Sequence, residues 1–124
     1  MPQIVVSYSD TMLRFLDRVA FARELHHEAA KIIDAPLDDF KTRFLPIETW
    51  VIGDHEQGEQ LVHVDFAILT GRNEETRAEL ARKTLEVLRA GLTDDVTDDV
   101  AARVHLTVEV REMDRPAFAK HITT

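Results

Sequence analysis

Alternating apolar and polar residues predict strands in four parts of the chain. Gln3 to Tyr8 is a short run rich in β-branched residues, and Gln60 to Leu69 and Arg103 to Glu112 place apolar residues at every second position, as half-buried strands do. Phe40 to Ile52 is rich in β-branched and aromatic residues, although Pro46 places part of it at a sheet edge or a bulge. The chain therefore has four predicted strands.

Apolar residues spaced three and four apart predict two amphipathic helices. The first runs from Thr11 to about Ile33, after Ser9 and Asp10, which are good N-cap residues. The second begins near Asn73, where two glutamates suit the positive end of the helix dipole. The apolar stripes are Met12, Phe15, Val19, Ala22, Ala29 and Ile33 in the first helix and Ala78, Ala81, Leu85, Leu88 and Leu92 in the second.

The elements follow the order strand, helix, strand, strand, helix, strand, which predicts an α+β fold of two consecutive β-α-β units. In this split βαβ arrangement a four-stranded sheet carries two helices on one face. Gly53 to Glu59 has the turn residues of a hairpin loop, and the acidic stretch Thr93 to Asp99 is an exposed connection. The length of 124 residues predicts one domain over residues 1–124.

The sheet face that the helices leave uncovered is predicted to meet another subunit. Val5, Ala67, Leu69 and Thr107 on that face are not polar enough to be fully wet. Trp50 is expected to anchor either the core or an interface. We therefore expect a homo-oligomer.

The composition narrows the class of protein. The formal net charge of −8 disfavours nucleic-acid binding, because such binding needs clustered Lys and Arg. The chain has no Cys, so disulfides and thiolate chemistry are excluded. No apolar stretch has the length of a membrane span and no signal-peptide pattern is present, so we expect a soluble, cytoplasmic protein. Such an acidic chain must bind an anion through individual arginines.

Three stretches resemble a known family. They are Pro2 to Asp10 (PQIVVSYSD), Thr42-Arg43 through Thr49-Trp50, and Leu61 to Arg72 (LVHVDFAILTGR), together about a quarter of the chain. A proline at position 2 followed directly by a strand resembles the start of tautomerase-superfamily proteins. Length and element order are most similar to the 5-carboxymethyl-2-hydroxymuconate isomerase family, whose subunits contain two β-α-β units, unlike the half-length subunits of 4-oxalocrotonate tautomerase.

The resemblance implies an activity and a site. Enzymes of this family ketonise 5-carboxymethyl-2-hydroxymuconate in homoprotocatechuate breakdown, as homotrimers and without a cofactor or a metal. The catalytic proline of the family corresponds to Pro2, which becomes the N-terminus once the methionine is removed. The family's arginine ligands for a dicarboxylate or tricarboxylate substrate correspond to Arg43 and Arg72. The resemblance therefore predicts a cofactor-independent isomerase that acts on a small anionic, unsaturated substrate.

The predicted reaction needs a base that accepts a proton from a 2-hydroxy acid and returns it to a distant carbon. The nitrogen of Pro2 suits this task once desolvation or a neighbouring cation lowers its pKa. Arg43 and Arg72 are the candidate cations, and their planar guanidinium groups also suit bidentate binding of carboxylates. Either one also suits polarisation of the 2-oxo group. A retained Met1 would acylate the prolyl nitrogen and remove its basicity.

Each candidate residue also has a simpler interpretation. Pro2 alone is a permissive site for methionine removal, and Arg43 is a surface arginine on an edge strand. Arg72 precedes a helix start, where a cation opposes the dipole, so it needs an anionic partner: Glu74, Glu75 or a substrate. The alternative functions are a tautomerase of another enol and a non-catalytic, oligomeric ligand-binding domain of the same fold.

The remaining polar residues predict no metal site. His26, His27, His63 and Asp65 lack the spacing of a metal-ligand set, and His63 is expected at an interface or a pocket wall. Solvated side chains are expected for Arg14, Arg77 and the aspartates Asp94, Asp95, Asp98 and Asp99.

Overall fold

The structure is a computed structural model that describes residues 1–54, 58–93 and 103–123. Its strands are β1 (Gln3–Ser9), β2 (Lys41–Ile47), β3 (Glu59–Leu69) and β4 (Arg103–Met113), and its α-helices are α1 (Arg18–Ile33) and α2 (Glu74–Gly91). Short 3-10 turns cover Asp10–Phe15, Leu37–Asp39 and Arg115–Ala117. The described part of the chain contains no helix that is both long and apolar enough to cross a membrane.

The four strands form one mixed sheet in the order β2-β1-β3-β4. β1 is parallel to β2, β3 is parallel to β4, and the two central strands β1 and β3 are antiparallel. Each parallel pair is joined through one α-helix, as a parallel crossover requires. The predicted fold of two β-α-β units with a four-stranded sheet is confirmed.

The predicted hairpin between the second and third strands is wrong. β1 lies between β2 and β3, so residues 48–58, which include most of the predicted hairpin loop, connect two strands that do not pair. Residues 55–57 of this connection lie outside the described residues, as do residues 94–102, which include most of the predicted acidic connection. β2 ends at Ile47 rather than Ile52, and its place at a sheet edge explains how it accommodates Pro46. Trp50 is half-buried and its indole N–H donates to the carbonyl of Glu59 at 2.9 Å.

The core lies between the sheet and both helices, on one face of the sheet. Its fully buried side chains include Ile4, Val6, Val62, Val64 and Phe66 from the central strands and Leu25, Ala29, Leu80 and Leu88 from the helices. The predicted helical stripes were partly wrong: Val19 is 66% exposed and Ala78 is also exposed. Thr84 is buried instead, because its hydroxyl donates to the carbonyl of Leu80 at 2.8 Å and so meets its polar requirement within the helix.

The predicted first helix is divided in two. After the 3-10 turn, Leu16 is extended and bridges to Leu92 at the end of α2. α1 begins only after Asp17, whose carboxylate accepts a hydrogen bond from the backbone N–H of Ala20 at 3.1 Å. Ser9 is not the predicted N-cap: its hydroxyl donates to the carbonyl of Leu61 and accepts from the N–H of the same residue. Ser9 therefore joins β1 to β3.

The sheet face opposite the helices carries paired polar side chains. Asp65 accepts hydrogen bonds from Arg111 at 2.9 and 3.1 Å, and a ring nitrogen of His63 lies 2.7 Å from the hydroxyl of Thr107. Of the four residues predicted on this face, Ala67 is buried within the chain, Val5 and Leu69 are half-buried and Thr107 is exposed. This face therefore combines apolar positions with cross-strand polar pairs.

Candidate active site

Pro2 lies at the start of the central strand β1. The residue is buried, and its carbonyl accepts a hydrogen bond from the backbone N–H of Lys41 at 3.3 Å. Because β1 and β2 run parallel, the beginning of β2 and the preceding turn Leu37–Asp39 lie beside the N-terminus. The sheet register thus fixes the position of Pro2.

Arg72 lies at the same end of the sheet, because β3 runs antiparallel to β1 and places Ala67 opposite Gln3. Its guanidinium donates to the carbonyl of Ile33 at 3.0 Å and to that of Leu69 at 3.4 Å. Ile33 ends α1, where the carbonyl groups carry the negative end of the helix dipole. Of the anionic partners expected for Arg72, neither glutamate is the observed one, since backbone carbonyls hold it.

Four charged side chains act on the amino terminus: Asp39, Arg72, Arg115 and Lys120, here called the N-terminal charge cluster. The pKa of the Met1 amino group is lowered from its usual value, first by partial burial. The carboxylate of Asp39 opposes this effect, whereas the three cations add to it. Three cations and one carboxylate make a locally positive site in a chain of net charge −8.

Arg115 and Lys120 come from the segment after β4, which sequence reasoning missed. Arg115 donates from Nε to the carbonyl of Thr70, and its guanidinium lies against Gly71, where a β-carbon would be 3.2 Å from Nη2. Gly71 has a φ of +128°, a backbone conformation that favours glycine. Because it has no β-carbon, it also leaves room for the guanidinium of Arg115. Lys120 lies 3.2 Å from a carboxylate oxygen of Asp39. In the sequence, the signal for these two residues is that both are cations placed shortly after the predicted fourth strand.

Arg43 occupies a different position from Arg72. It lies on the edge strand β2, opposite Val5 in the register, and its side chain is exposed. Its Nη2 donates to the amide oxygen of Gln3 at 3.0 Å. Arg43 is not among the groups that shift the pKa of the amino terminus. The structure therefore brings Arg72 to the N-terminus and places Arg43 beside the residue that follows Pro2.

Other residues singled out in the sequence do not belong to the N-terminal charge cluster. Arg77 is not simply solvated, since it forms an ion pair with Glu112 at 2.7 Å. Arg14 is exposed and lies 4.7 Å from the ring centre of Phe15. A nitrogen of His26 lies 2.7 Å from the hydroxyl of Thr42, and burial lowers the pKa of this histidine. The predicted solvated aspartate run, Asp94 to Asp99, lies outside the described residues.

A cavity of about 360 Å³ lies between the two helices, not at the N-terminus. It is lined by residues from α1 and from the second half of α2, including Phe21, Glu24, Glu28, Lys83 and Val87. Among the residues that the structure describes, no three His, Cys, Asp or Glu side chains are grouped so that they could hold a metal ion. The N-terminal charge cluster therefore remains the candidate active site.

Two β-α-β units that form one mixed four-stranded sheet are the architecture of the tautomerase fold. A family model described as 5-carboxymethyl-2-hydroxymuconate isomerase matches residues 2–123. The chain belongs to the 5-carboxymethyl-2-hydroxymuconate isomerase family. This membership supports a tautomerase-type isomerase.

Several solved structures share this fold. A 5-carboxymethyl-2-hydroxymuconate delta-isomerase has a TM-score of 0.77 at 19% identity, covering 100% of this chain and 88% of its own. A 5-carboxymethyl-2-hydroxymuconate isomerase from Deinococcus radiodurans R1 has a TM-score of 0.71 at 20% identity, covering 98% and 90%. A fused 4-OT symmetric trimer has a TM-score of 0.73 at 19% identity, covering 95% and 90%. No curated protein sequence gives a significant match.

Proposed function

We propose that this protein ketonises 5-carboxymethyl-2-hydroxymuconate, or a similar 2-hydroxydienoate, with the nitrogen of Pro2 as its general acid and base. The proposal requires removal of Met1, which frees the prolyl nitrogen. It also follows the family in placing the reaction in cytoplasmic aromatic-acid catabolism, without a cofactor. The observation that carries the proposal is the N-terminal charge cluster, which gathers three cations and one carboxylate around the amino terminus, one residue before Pro2, in an acidic chain.

The environment of Pro2 suits a base that works near neutral pH. An ordinary α-amino group has a pKa near 8 and is mostly protonated at pH 7. Partial burial and three cations lower the pKa of the Met1 amine. The prolyl nitrogen lies one residue further along a buried segment, so desolvation and the same cations act on it too. A larger neutral fraction of the amine is the expected consequence.

In the proposed reaction the neutral prolyl nitrogen takes the proton of the 2-hydroxyl group. The oxygen becomes a ketone as the double bonds shift, and the protonated nitrogen returns a proton to a distant carbon. No electron is gained or lost overall, so the reaction balances without an oxidant or a reductant. One base thus serves both proton transfers.

Arg72 and Arg43 are proposed to bind the substrate carboxylates. A guanidinium has five N–H donors, and the two carbonyl bonds of Arg72 leave it donors for a carboxylate. Those bonds also fix the orientation of the group before substrate arrives. Arg43 reaches the side chain of Gln3, the residue next to Pro2, which supports a role at the other end of a long substrate.

We also propose that the protein is a homo-oligomer, and specifically a trimer. Both edge strands β2 and β4 are unpaired on one side within the described chain. Large apolar side chains are exposed at Leu45 (50%), Val51 (66%) and Ile122 (60%). The fused 4-OT structure with the same fold is a symmetric trimer. Sedimentation equilibrium is expected to give the mass of a trimer, and a monomer mass at micromolar concentration would contradict this assignment.

The activity is tested by following ketonisation of 5-carboxymethyl-2-hydroxymuconate in the ultraviolet. The protein used must show by intact mass that Met1 is absent. We expect turnover well above the spontaneous rate, and no such turnover from the same chain with Met1 retained. Activity only on other enols would favour the alternative tautomerase. Inactivity toward every dienol, despite a free Pro2, would favour the non-catalytic binding domain.

A further inference from the structure

The segment after β4 returns to the amino terminus and places a lysine beside it. A turn at Arg115–Ala117 redirects the chain, and the backbone N–H of Phe118 closes it on the carbonyl of Arg115 at 3.2 Å. Lys120 then lies with its ammonium 3.2 Å from a carboxylate oxygen of Asp39 and 3.2 Å from the sulfur of Met1. The lysine and aspartate side chains are 33% and 22% exposed, so the pair is partly shielded from water.

The Met1 side chain occupies a place that processing would vacate. Met1 is half-buried, and its sulfur is a weak acceptor for the Lys120 ammonium. Removal of Met1 takes away that contact while the ion pair with Asp39 remains. An ammonium has three N–H donors, so Lys120 retains donors for a second anion next to the freed nitrogen of Pro2.

We propose that Lys120 is a specificity-determining residue that binds a substrate carboxylate beside Pro2, and that Asp39 is the positioning residue that holds it there. This inference rests on the proposed function of the same site. The ion pair with Asp39 restrains the Lys120 side chain. Together with Arg72 and Arg115, Lys120 selects substrates with several carboxylates over those with one.

Affinity for an unreactive tricarboxylate tests the proposal without requiring turnover. Tricarballylate binding is measured by calorimetry on protein that lacks Met1. We expect Lys120→Met to weaken binding about tenfold, the size of one charge-assisted hydrogen bond lost. The matched control is Lys31→Met, since Lys31 also pairs with a carboxylate, Glu28 at 3.5 Å, but lies on the exposed side of α1. The control is expected to bind as the wild type does.

Equal affinities of the Lys120→Met and wild-type proteins, or the absence of binding by both, would overturn the proposal. Weaker binding by the variant in a protein that shows no turnover would refute the proposed activity and support this inference. Lys120→Arg is expected to recover most of the affinity, because it restores the charge. A variant that had merely lost its fold would show a changed circular dichroism spectrum.

The pKa of the Pro2 nitrogen is a second readout, because a purely structural role of Lys120 would leave this pKa unchanged. Lys120→Met removes a cation and leaves the carboxylate of Asp39 without its partner, so the pKa of the nitrogen should rise. Asp39→Asn removes the carboxylate that stabilises the protonated amine, so the same pKa should fall. Nitrogen NMR of proline-labelled protein measures both shifts. Shifts in one direction, or no shifts, would contradict the assignment.

Discussion

Pro2→Ala is expected to lower kcat about 100-fold while KM changes little, since positioned general acid–base groups contribute roughly 10²–10⁴-fold. The variant still presents a terminal amine once Met1 is removed. That primary amine is no longer held by the proline ring, so it meets the reacting atoms less often in the correct geometry. Steady-state kinetics on 5-carboxymethyl-2-hydroxymuconate, with the mass of each protein verified, measures the effect.

Pro46→Ala is the matched control for this prediction. Pro46 is exposed on the edge strand β2, five residues after Lys41 and near the opposite end of that strand. Its replacement is expected to leave kcat unchanged. Equal kcat values for the wild type and Pro2→Ala would remove Pro2 from the mechanism, whatever the activity of the protein.

Arg72→Ala is expected to raise KM about 10- to 100-fold, because a charge-assisted hydrogen bond to a carboxylate is worth roughly 1.5–3 kcal/mol. A smaller fall in kcat is expected, since the base itself remains. The substitution also leaves the carbonyls of Ile33 and Leu69 without their donor. The free energy of unfolding should therefore fall by about 1–3 kcal/mol, as measured by urea titration.

Arg77→Ala is the control that separates the effect of the Arg72 substitution on substrate binding from its effect on stability. Arg77 lies in the first turns of α2 and pairs with the partly exposed Glu112. An exposed ion pair contributes up to about 1 kcal/mol, so this control should change stability little and KM not at all. An unchanged KM in Arg72→Ala, with only the stability lowered, would make Arg72 a purely structural residue.

Strands and helix caps that depend on residues close in sequence could be predicted from the sequence. The period of two in β1, β3 and β4 reflects burial of one sheet face, so these strands appear within one or two residues of their predicted bounds. Asn73 caps α2 as expected, because its side chain accepts from the N–H of Thr76 at 2.8 Å. These signals arise from residues a few positions apart, and here the tertiary packing agrees with them.

Features that depend on distant partners were not predictable. The break between the 3-10 turn and α1 depends on the bridge from Leu16 to Leu92, which comes 76 positions later in the sequence. The insertion of β1 between β2 and β3 likewise follows from the packing of two crossovers, not from the turn residues of the connecting loop. Local patterns carry no information on either pairing.

The sequence by itself determined the two β-α-β units, the proline before the first strand and the arginine after the third, because periodicity and motif order are local properties. Only the tertiary structure decided which charges surround the amino terminus. Asp39, Arg72 and Lys120 are far apart along the chain and meet because β1 lies beside both β2 and β3 and because β4 runs parallel to β3. A site formed at the shared end of several strands depends on sheet order and register, which long-range packing sets.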